Sequence, residues 1–228
     1  GGLRSVWKPD THNSLDLSYA FDQYDKSDYQ RITRLDIRDY SNVQNSLRLL
    51  YNHTFGSDDV LSLGADYMHD YLFNTNLEDR TRRQDSFDAF AQYDWNVSQQ
   101  WEAVGALRYD YFSDGRISRL TPKVSVRYQP VRNLNFRASY GMGFRAPTLK
   151  EKYYNFDMAG IWIVEGNPAL KPEVSHNFNL SADYTHRHYN FTLAAYYNRI
   201  RDKIATGAPF YNCLLYTSDA ADDRISVD

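Results

Sequence analysis

Strict alternation of apolar and polar residues is the feature that most constrains how this chain can fold. In one example Leu15, Leu17 and Tyr19 alternate with Asp16 and Ser18. Side chains of a β-strand point to opposite faces with a period of two, so each such stretch predicts a strand with one apolar and one polar face. Nine stretches follow this rule: 15–21, 47–55, 61–71, 87–95, 101–111, 124–128, 134–140, 178–184 and 189–197. The sequence therefore predicts an all-β chain of nine strands.

The predicted connections between these strands alternate in length. Short links are predicted at 56–59, 97–100, 130–133 and 185–188, and long links at 25–42, 74–85, 113–119 and 141–174. Transmembrane β-barrels have short turns at one end, long loops at the other, and strands that alternate apolar-out and polar-in. We therefore expect part of a large antiparallel transmembrane β-barrel. A soluble β-sandwich would also alternate, but it gives no reason for the loop lengths.

The composition agrees with a membrane barrel. The 228 residues include 20 Tyr, 12 Phe and 4 Trp, and the amphipathic ring of tyrosine suits a membrane–water boundary. Trp95 and Trp101 flank one predicted short link, where an aromatic girdle is expected. Basic and acidic residues number 26 and 29, which lacks the basic excess of a nucleic-acid-binding protein. No run of 18 apolar residues exists, so no transmembrane helix is predicted.

The two ends of the chain differ from the rest. Residues 213–228 have neither the composition nor the alternation of the preceding sequence, and they resemble translated adapter sequence. We therefore predict a partial barrel domain over 1–212 and a non-native tail over 213–228. The only cysteine, Cys213, lies in this tail, which excludes a disulfide framework. Because the chain starts with Gly1 and no signal segment, we expect an internal segment of a longer protein.

Two short motifs flank the longest predicted link. The first comprises Phe144, Arg145, Ala146 and Pro147, and the second comprises Asn167, Pro168, Ala169 and Leu170. Proline cannot donate to a strand ladder and keeps the preceding residue extended. Glycine permits backbone conformations that other residues reach only at a cost, and Gly143 and Gly166 lie beside the motifs. The motifs are therefore predicted to anchor the two ends of a loop.

Together these motifs resemble those of TonB-dependent outer-membrane receptors. The resemblance covers about residues 15–204 and is most specific over 141–202. It implies a barrel of about 22 strands, of which the nine predicted here would be the seventh to the fifteenth. It also implies active import of an iron complex (siderophore or haem) or cobalamin, in the outer membrane of a Gram-negative bacterium. The implied partners are outer-membrane lipid, the small nutrient complex, and TonB with the inner-membrane energising complex, reached through the missing N-terminal part.

Candidate ligand-binding residues lie on and beside the predicted loop. Aromatic rings there could stack on a planar ligand, a cation could bind an anionic ligand or a carboxylate, and a thioether could bind iron. These residues are Arg145, Tyr153, Tyr154, Phe156, Met158 and Trp162. Packing of the rings against the barrel rim, and a structural role for the arginine, are the alternatives. No histidine lies between the motifs, in contrast to haem receptors of the family.

The sequence predicts no bond-making chemistry. His186 and His188 share a strand face but lack an evident third metal ligand, and no serine–histidine arrangement indicates a hydrolase. We therefore expect neither an enzyme nor a resident cofactor or metal. A passive porin-like or structural outer-membrane barrel is the alternative function.

Overall fold

A computed structural model describes residues 1–56, 58–75, 77, 79–158, 162–207, 209–212 and 215–219, with the backbone alone at 156–158, 162–163, 209–212 and 215–219. Most of the described chain is β-strand. The elements are β1 (Gly2–Trp7), β2 (Asn13–Gln30), β3 (Leu35–Thr54), β4 (Val60–Asn74), β5 (Thr81–Trp95), β6 (Trp101–Phe112), a 3-10 turn (Asp114–Arg116), β7 (Ile117–Val131), β8 (Leu134–Arg145), α1 (Leu149–Tyr153), β9 (Phe156–Met158), β10 (Trp162–Glu165), β11 (Glu173–His186), β12 (Tyr189–Arg201), β13 (Pro209–Asn212) and β14 (Leu215–Asp219).

The main sheet has ten antiparallel strands in the order β1-β2-β3-β4-β5-β6-β7-β8-β11-β12. Each strand pairs with its neighbour in sequence, except that the long loop between β8 and β11 contributes two strands to a second, four-stranded sheet of order β13-β14-β10-β9. All nine predicted strands are confirmed, within β2 to β8, β11 and β12. The first strand was missed because it is short and Ser5 interrupts its apolar side.

The two faces of the main sheet differ as the alternation predicts. Large apolar side chains such as Leu180 and Leu193 are exposed on one face, called here the apolar face. The opposite, polar face carries ion pairs between neighbouring strands, including Arg48–Asp66 at 2.6 Å and Arg137–Asp183 at 2.8 Å. The main sheet therefore does not bury its apolar face in a protein core.

The predicted alternation of loop lengths is wrong for three of the four long links. The structure connects β2 to β3 through 31–34, β4 to β5 through 75–80, and β6 to β7 through 113–116. Strand occupies most of the predicted link 25–42, half of 74–85, and the last three residues of 113–119, because backbone ladders continue between polar residues without needing apolar side chains. Only the fourth link, 146–172, is a long loop. The alternation of apolar and polar residues thus predicts the apolar band of each strand and not the full length of the strand.

The longest hairpin illustrates this difference. Strands β2 and β3 have 18 and 20 residues. At about 3.3 Å per residue, 18 residues extend roughly 60 Å, whereas about 10 tilted residues cross a bilayer. The register shifts once between Lys26 and Ser27, where a bulge bends the outer part of the hairpin. The hairpin therefore projects well beyond its apolar band, on the same end of the sheet as the long loop.

Candidate ligand-facing loop and its anchor

The first motif continues directly from the end of β8 into α1. Arg145 Nη1 donates to both carboxylate oxygens of Glu151, at 2.8 and 3.0 Å, and its Nε donates to Glu173 Oε2 at 3.4 Å. The Thr148 hydroxyl accepts from the Glu151 amide while Glu151 Oε2 accepts from the Thr148 amide, which forms a capping box at the start of α1. Arg145 thus joins the start of the loop to the start of β11.

The Glu151 carboxylate is the electrostatic centre of this anchor. Partial burial alone would raise the pKa of Glu151. The hydrogen bonds from the Thr148 amide and Arg145 lower the pKa by more than burial raises it, so the pKa lies below its ordinary value. The structure therefore shows Arg145 held by two carboxylates of its own chain. A ligand-binding role for Arg145 stays a prediction.

The second motif is hydrogen-bonded to α1, through the same Glu151 that holds Arg145 of the first motif. The Asn167 amide donates to the Glu151 carbonyl at 3.0 Å, and Asn167 Oδ1 accepts from the Ala169 amide at 2.8 Å. A side-chain carbon at Gly166 would lie 2.7 Å from the Tyr153 backbone nitrogen, so no larger residue fits there. Leu170 is buried. The two motifs therefore form one anchor, which holds both ends of the 146–172 loop.

The anchor packs on a small hydrophobic cluster, which we call the rim cluster. It consists of buried Tyr40, Leu72, Leu77 and Leu149, with Tyr153 and Tyr154 packed against it. Tyr40 lies in β3, Leu72 lies near the end of β4, and Leu77 lies in the turn that follows. With Leu170 and Pro147, these are the buried apolar residues of the described chain. The loop is thus fixed to the projecting ends of β3 and β4.

A buried cation ties the same helix to the turn between β6 and β7. The Lys152 side chain is only 6% exposed and pairs with Asp114. Tyr153 donates its hydroxyl to the other oxygen of Asp114 at 3.0 Å, and Arg82 lies 4.9 Å from the centre of the Tyr153 ring. Burial and the bond to Asp114 both raise the pKa of Tyr153. The helix therefore joins the ends of several strands.

The predicted ligand-facing aromatics divide between the anchor and residues outside the described side chains. Tyr154 packs edge-on against Tyr40 with ring centres 5.7 Å apart, and Tyr40 packs edge-on against Tyr24 at 5.8 Å. Tyr153 and Tyr154 thus pack against the rim, while their ligand-binding roles stay predictions. The side chains of three further candidates lie outside the described part of the structure: Phe156, Met158 and Trp162.

Several anchor residues were not predicted from the sequence. Thr148 and Glu151 have the Thr-x-x-Glu spacing of a capping box, which was a readable signal. The Lys152–Asp114 pair and the rim cluster join residues far apart in sequence and had no local signal. Among the described residues no group of three or more metal-ligating side chains is present. None of the described helices has the length and apolar character of a membrane-spanning helix.

An open antiparallel sheet with an exposed apolar face and one anchored long loop defines the wall of an outer-membrane β-barrel. A family model described as "TonB dependent receptor-like, beta-barrel" matches residues 2–224. The chain therefore belongs to the TonB-dependent receptor family, as its motifs predicted. The match runs past residue 212, and the predicted non-native tail at 213–228 stays a prediction.

Two named proteins of similar sequence support this assignment. The vitamin B12 transporter BtuB of Photobacterium profundum is 27% identical over 172 residues, which is 75% of this chain and 26% of that protein. An iron-regulated outer membrane virulence protein of Vibrio cholerae is 28% identical over 156 residues, covering 64% of this chain and 23% of that protein. The chain thus spans about a quarter of the length of these relatives.

Solved structures show the same fold. The ferric enterobactin receptor of Pseudomonas aeruginosa superposes with a TM-score of 0.73 at 15% identity, over 96% of this chain and 38% of that chain. The siderophore receptor PirA of the same species gives 0.67 at 13% identity, over 95% and 49%. The copper transporter OprC gives 0.67 at 12% identity, over 96% and 41%.

Membership of this family assigns the surroundings of the two faces. The chain is part of a Gram-negative outer-membrane protein, so the apolar face contacts lipid and the polar face lines the barrel interior. The end with the rim cluster and the long loop is the extracellular end, and the end with the turns after β3, β5, β7 and β11 is the periplasmic end.

Proposed function

We propose that the intact protein actively imports a metal-bearing nutrient, either an iron complex (siderophore or haem) or cobalamin, through a plugged barrel. The observation that carries this proposal is the anchor, in which both family motifs join to hold the 146–172 loop above the extracellular rim. The proposal extends to the partners that import requires: a small nutrient complex, and TonB with the inner-membrane energising complex.

The charges and rings around the anchor favour an iron complex with an anionic, aromatic ligand. Tyr24, Tyr40 and Tyr154 form a row of edge-packed rings. Lys150 Nζ lies 5.2 Å from the centre of the Tyr40 ring, and Lys26 lies beside the same row, paired with Asp39 at 3.5 Å. Rings and cations side by side suit a catecholate-type siderophore. Haem is less favoured, because residues 152–164 contain no histidine.

Growth with a single nutrient source tests this proposal. A strain lacking the whole gene is grown with a ferric catecholate siderophore, haem or cobalamin as the limiting source. We expect a defect on the siderophore that the intact gene restores. Equal growth of both strains on all three sources contradicts import of this class. Ion conductance of the purified protein in planar bilayers without an energy source would instead support the alternative, a passive porin.

A matched pair of tyrosines tests the ligand surface itself. Tyr24 is 60% exposed at the end of the aromatic row, and Tyr29 is 63% exposed further along the same strand. We expect Tyr24→Ala to lower siderophore uptake at unchanged outer-membrane abundance, and Tyr29→Ala to leave uptake unchanged. We also expect Tyr154→Ala and Trp162→Ala to weaken uptake without lowering abundance. Unchanged uptake in Tyr24→Ala, Tyr154→Ala and Trp162→Ala would assign these three side chains to packing alone.

A further inference from the structure

A recess in the interior wall of the barrel lies apart from the proposed ligand surface at the rim. It has a volume of about 380 Å³ and lies on the polar face across β6, β7 and β8. Each of these three strands is paired on both sides, so the recess does not lie at an edge of the described sheet. Its polar lining consists of Glu102, Lys123, Ser125, Arg127, Arg137 and Ser139.

The strand register places small side chains on the floor of this recess and two like charges at one end. Ser125 pairs with Ser139, and Arg127 pairs with Arg137. Cross-strand partners share a face of the sheet, and like charges directly opposite each other destabilise a strand pair. An oxyanion between two guanidinium groups removes this repulsion and accepts paired, charge-assisted hydrogen bonds. The register therefore places the two arginines where they can share one anion.

The protein's own carboxylates flank this arginine pair on either side. Arg127 Nη2 lies 2.9 Å from Glu102 Oε2 on β6, and Arg137 Nη1 donates to Asp183 Oδ2 on β11 at 2.8 Å. Lys123 is exposed on the same face and forms no ion pair within the described part of the chain. Three cations and two carboxylates leave the recess with a small excess of positive charge.

Cations continue above the recess along the same strand. Arg119, Lys123 and Arg127 are spaced by four residues on β7, and an even spacing places all three side chains on one face. Arg119 pairs with Asp110, which identifies this face as the polar one. Four residues extend roughly 13 Å, so the cations follow one another from the rim toward the periplasmic end. Such a series suits an anion that moves along the wall.

The arginine pair lies well below the anchor. Strand β8 starts beside a periplasmic turn at Leu134 and ends at the anchor residue Arg145, and Arg137 precedes Arg145 by eight residues. At about 3.3 Å per residue and a tilt of about 40°, this separation is roughly 20 Å along the membrane normal. A nutrient captured at the rim therefore reaches the arginine pair only after it has entered the barrel.

We propose that the recess is a second, transient binding site for the imported complex, where Arg127 and Arg137 together hold one of its oxyanion groups. This inference rests on the proposed import of an anionic complex. Glu102 and Asp183 already pair with the two arginines, so the remaining attraction for an anion is moderate. A site on a transport path must bind its cargo and also release it, which a moderate attraction permits.

Uptake of a ferric catecholate siderophore by cells that carry the intact receptor tests this site. Ser139→Asp adds a carboxylate to the floor of the recess, and Ser62→Asp adds the same charge to the polar face of β4, outside the recess. We expect Ser139→Asp to lower the uptake rate about tenfold, as expected for lost charge-assisted hydrogen bonds. Siderophore binding to de-energised cells and outer-membrane abundance should stay unchanged. Ser62→Asp should take up the siderophore like the unchanged receptor.

Removal of the arginines tests the same site by a different change. Arg127→Gln with Arg137→Gln should lower uptake as Ser139→Asp does, whereas Arg127→Lys with Arg137→Lys keeps both charges and should retain most of the uptake. Arg48→Gln removes the cation of an ion pair on the polar face outside the recess and is the control. Equal uptake by all variants and the unchanged receptor would overturn the proposal. Absence of uptake by the unchanged receptor would instead contradict the proposed function, and with it the cargo assigned to the recess.

Modification of a cysteine by charged reagents tests the recess independently of import. Ser139→Cys, or Ser62→Cys as the control, is introduced into a receptor whose Cys213 is replaced by serine, and an anionic and a cationic methanethiosulfonate reagent are compared. We expect a higher anionic-to-cationic rate ratio for Ser139→Cys, and loss of this difference with Arg127→Gln and Arg137→Gln.

The same comparison distinguishes the occupants of the recess. Equal rate ratios for Ser139→Cys and Ser62→Cys, or no modification of Ser139→Cys, would show that the recess is not an anion site and would overturn the proposal. A preference for the anionic reagent together with full siderophore uptake by Ser139→Asp would assign the recess to an acidic segment of the receptor itself, and would overturn its assignment to the cargo.

Discussion

The barrel wall and the extracellular rim place similar side chains in opposite surroundings. On the wall, Leu180 is 59% exposed on the apolar face, although β11 is paired on both sides. At the rim, Leu72 and Leu149 are fully buried in the rim cluster. Leucine contributes to stability in both places, but on the wall its partner is lipid and at the rim its partner is protein.

The two regions are therefore stabilised by different interactions. The wall depends on continuous backbone ladders and on lipid around its apolar face. The rim depends on a small core, a buried ion pair and capping hydrogen bonds, as a small water-exposed domain does. Changes at the rim should release the loop and leave the barrel folded, whereas changes on the lipid-facing wall should affect the whole barrel.

The largest local effect is expected from Lys152→Ala. This change leaves Asp114 without its buried cation, and removal of one partner of a buried pair costs about 3–5 kcal/mol. We expect much faster hydrogen exchange at the Asn167 amide, which the anchor protects, and unchanged exchange in β4 to β6. Lys150→Ala, an exposed lysine two residues away, is the control. Equal protection in both variants would show that the ion pair does not hold the loop.

Leu149→Ala should also loosen the rim, by about 2–5 kcal/mol, because it leaves a cavity in the rim cluster. Limited proteolysis of the intact protein should then cut within 146–172 more rapidly. Leu193→Ala on the wall removes the same atoms from a lipid-exposed site and leaves no cavity. If both variants resist cleavage equally, the rim cluster does not act as a core.

The stability of the wall should depend on the charge of its lipid-facing side chains, whereas the stability of the rim depends on the volume of its buried side chains. Leu180→Arg places a cation on the lipid-facing side of β11, at a cost of about 2–4 kcal/mol near the bilayer centre and less toward its boundary. Asn179→Arg places the same charge on the neighbouring residue, which faces the interior. Unfolding of the intact protein from vesicles by denaturant should show a loss of stability for Leu180→Arg alone. Equal stability of the two variants would contradict the assignment of the faces.

The strands of the wall can be predicted from the sequence more completely than the contacts of the rim, for a physical reason. Lipid requires an apolar side chain at every second residue, so each strand from 15–21 to 189–197 carries its own local signal. Outside the membrane this requirement ends, and the same ladders continue through polar sequence in β2 and β3. The sequence therefore predicts loops where the hairpins project, although the strands stay paired there, with one register shift between Lys26 and Ser27.

The sequence predicts that the two loop motifs form an anchor, but it does not predict the residues on other strands and turns that the anchor contacts. Pro147, Gly166 and Pro168 indicate fixed backbone conformations on their own. Lys152 and Asp114 are 38 residues apart, and they meet where α1 packs beside the turn between β6 and β7. Such a contact depends on the register of several strands together, which a single sequence does not specify.

Removal of the capping box tests whether α1 opens separately from the strand ends at the rim. Thr148→Ala removes the hydroxyl that accepts from the Glu151 amide, and loss of a helix N-cap costs about 1 kcal/mol. We expect a small rise in hydrogen exchange at the α1 amides and none in the rim residues of β3 and β4. Thr148→Ser, which keeps the hydroxyl, should behave like the unchanged protein. Exchange that also rises in β3 would show that the helix and the rim open together.

The smallest expected effect is a response of the loop to acid. Because the pKa of Glu151 is below its ordinary value of 4.5, its contribution is complete above that value and is lost as the pH falls through the lower, folded pKa. Protonation of Glu151 weakens its bonds to Arg145 and Thr148. The mobility of a spin label on a cysteine at Glu165, in a protein whose Cys213 is replaced by serine, should therefore rise at acid pH. In Glu151→Gln the label should already be mobile at neutral pH and respond little to acid, because the titrating carboxylate that holds Arg145 and caps α1 is gone.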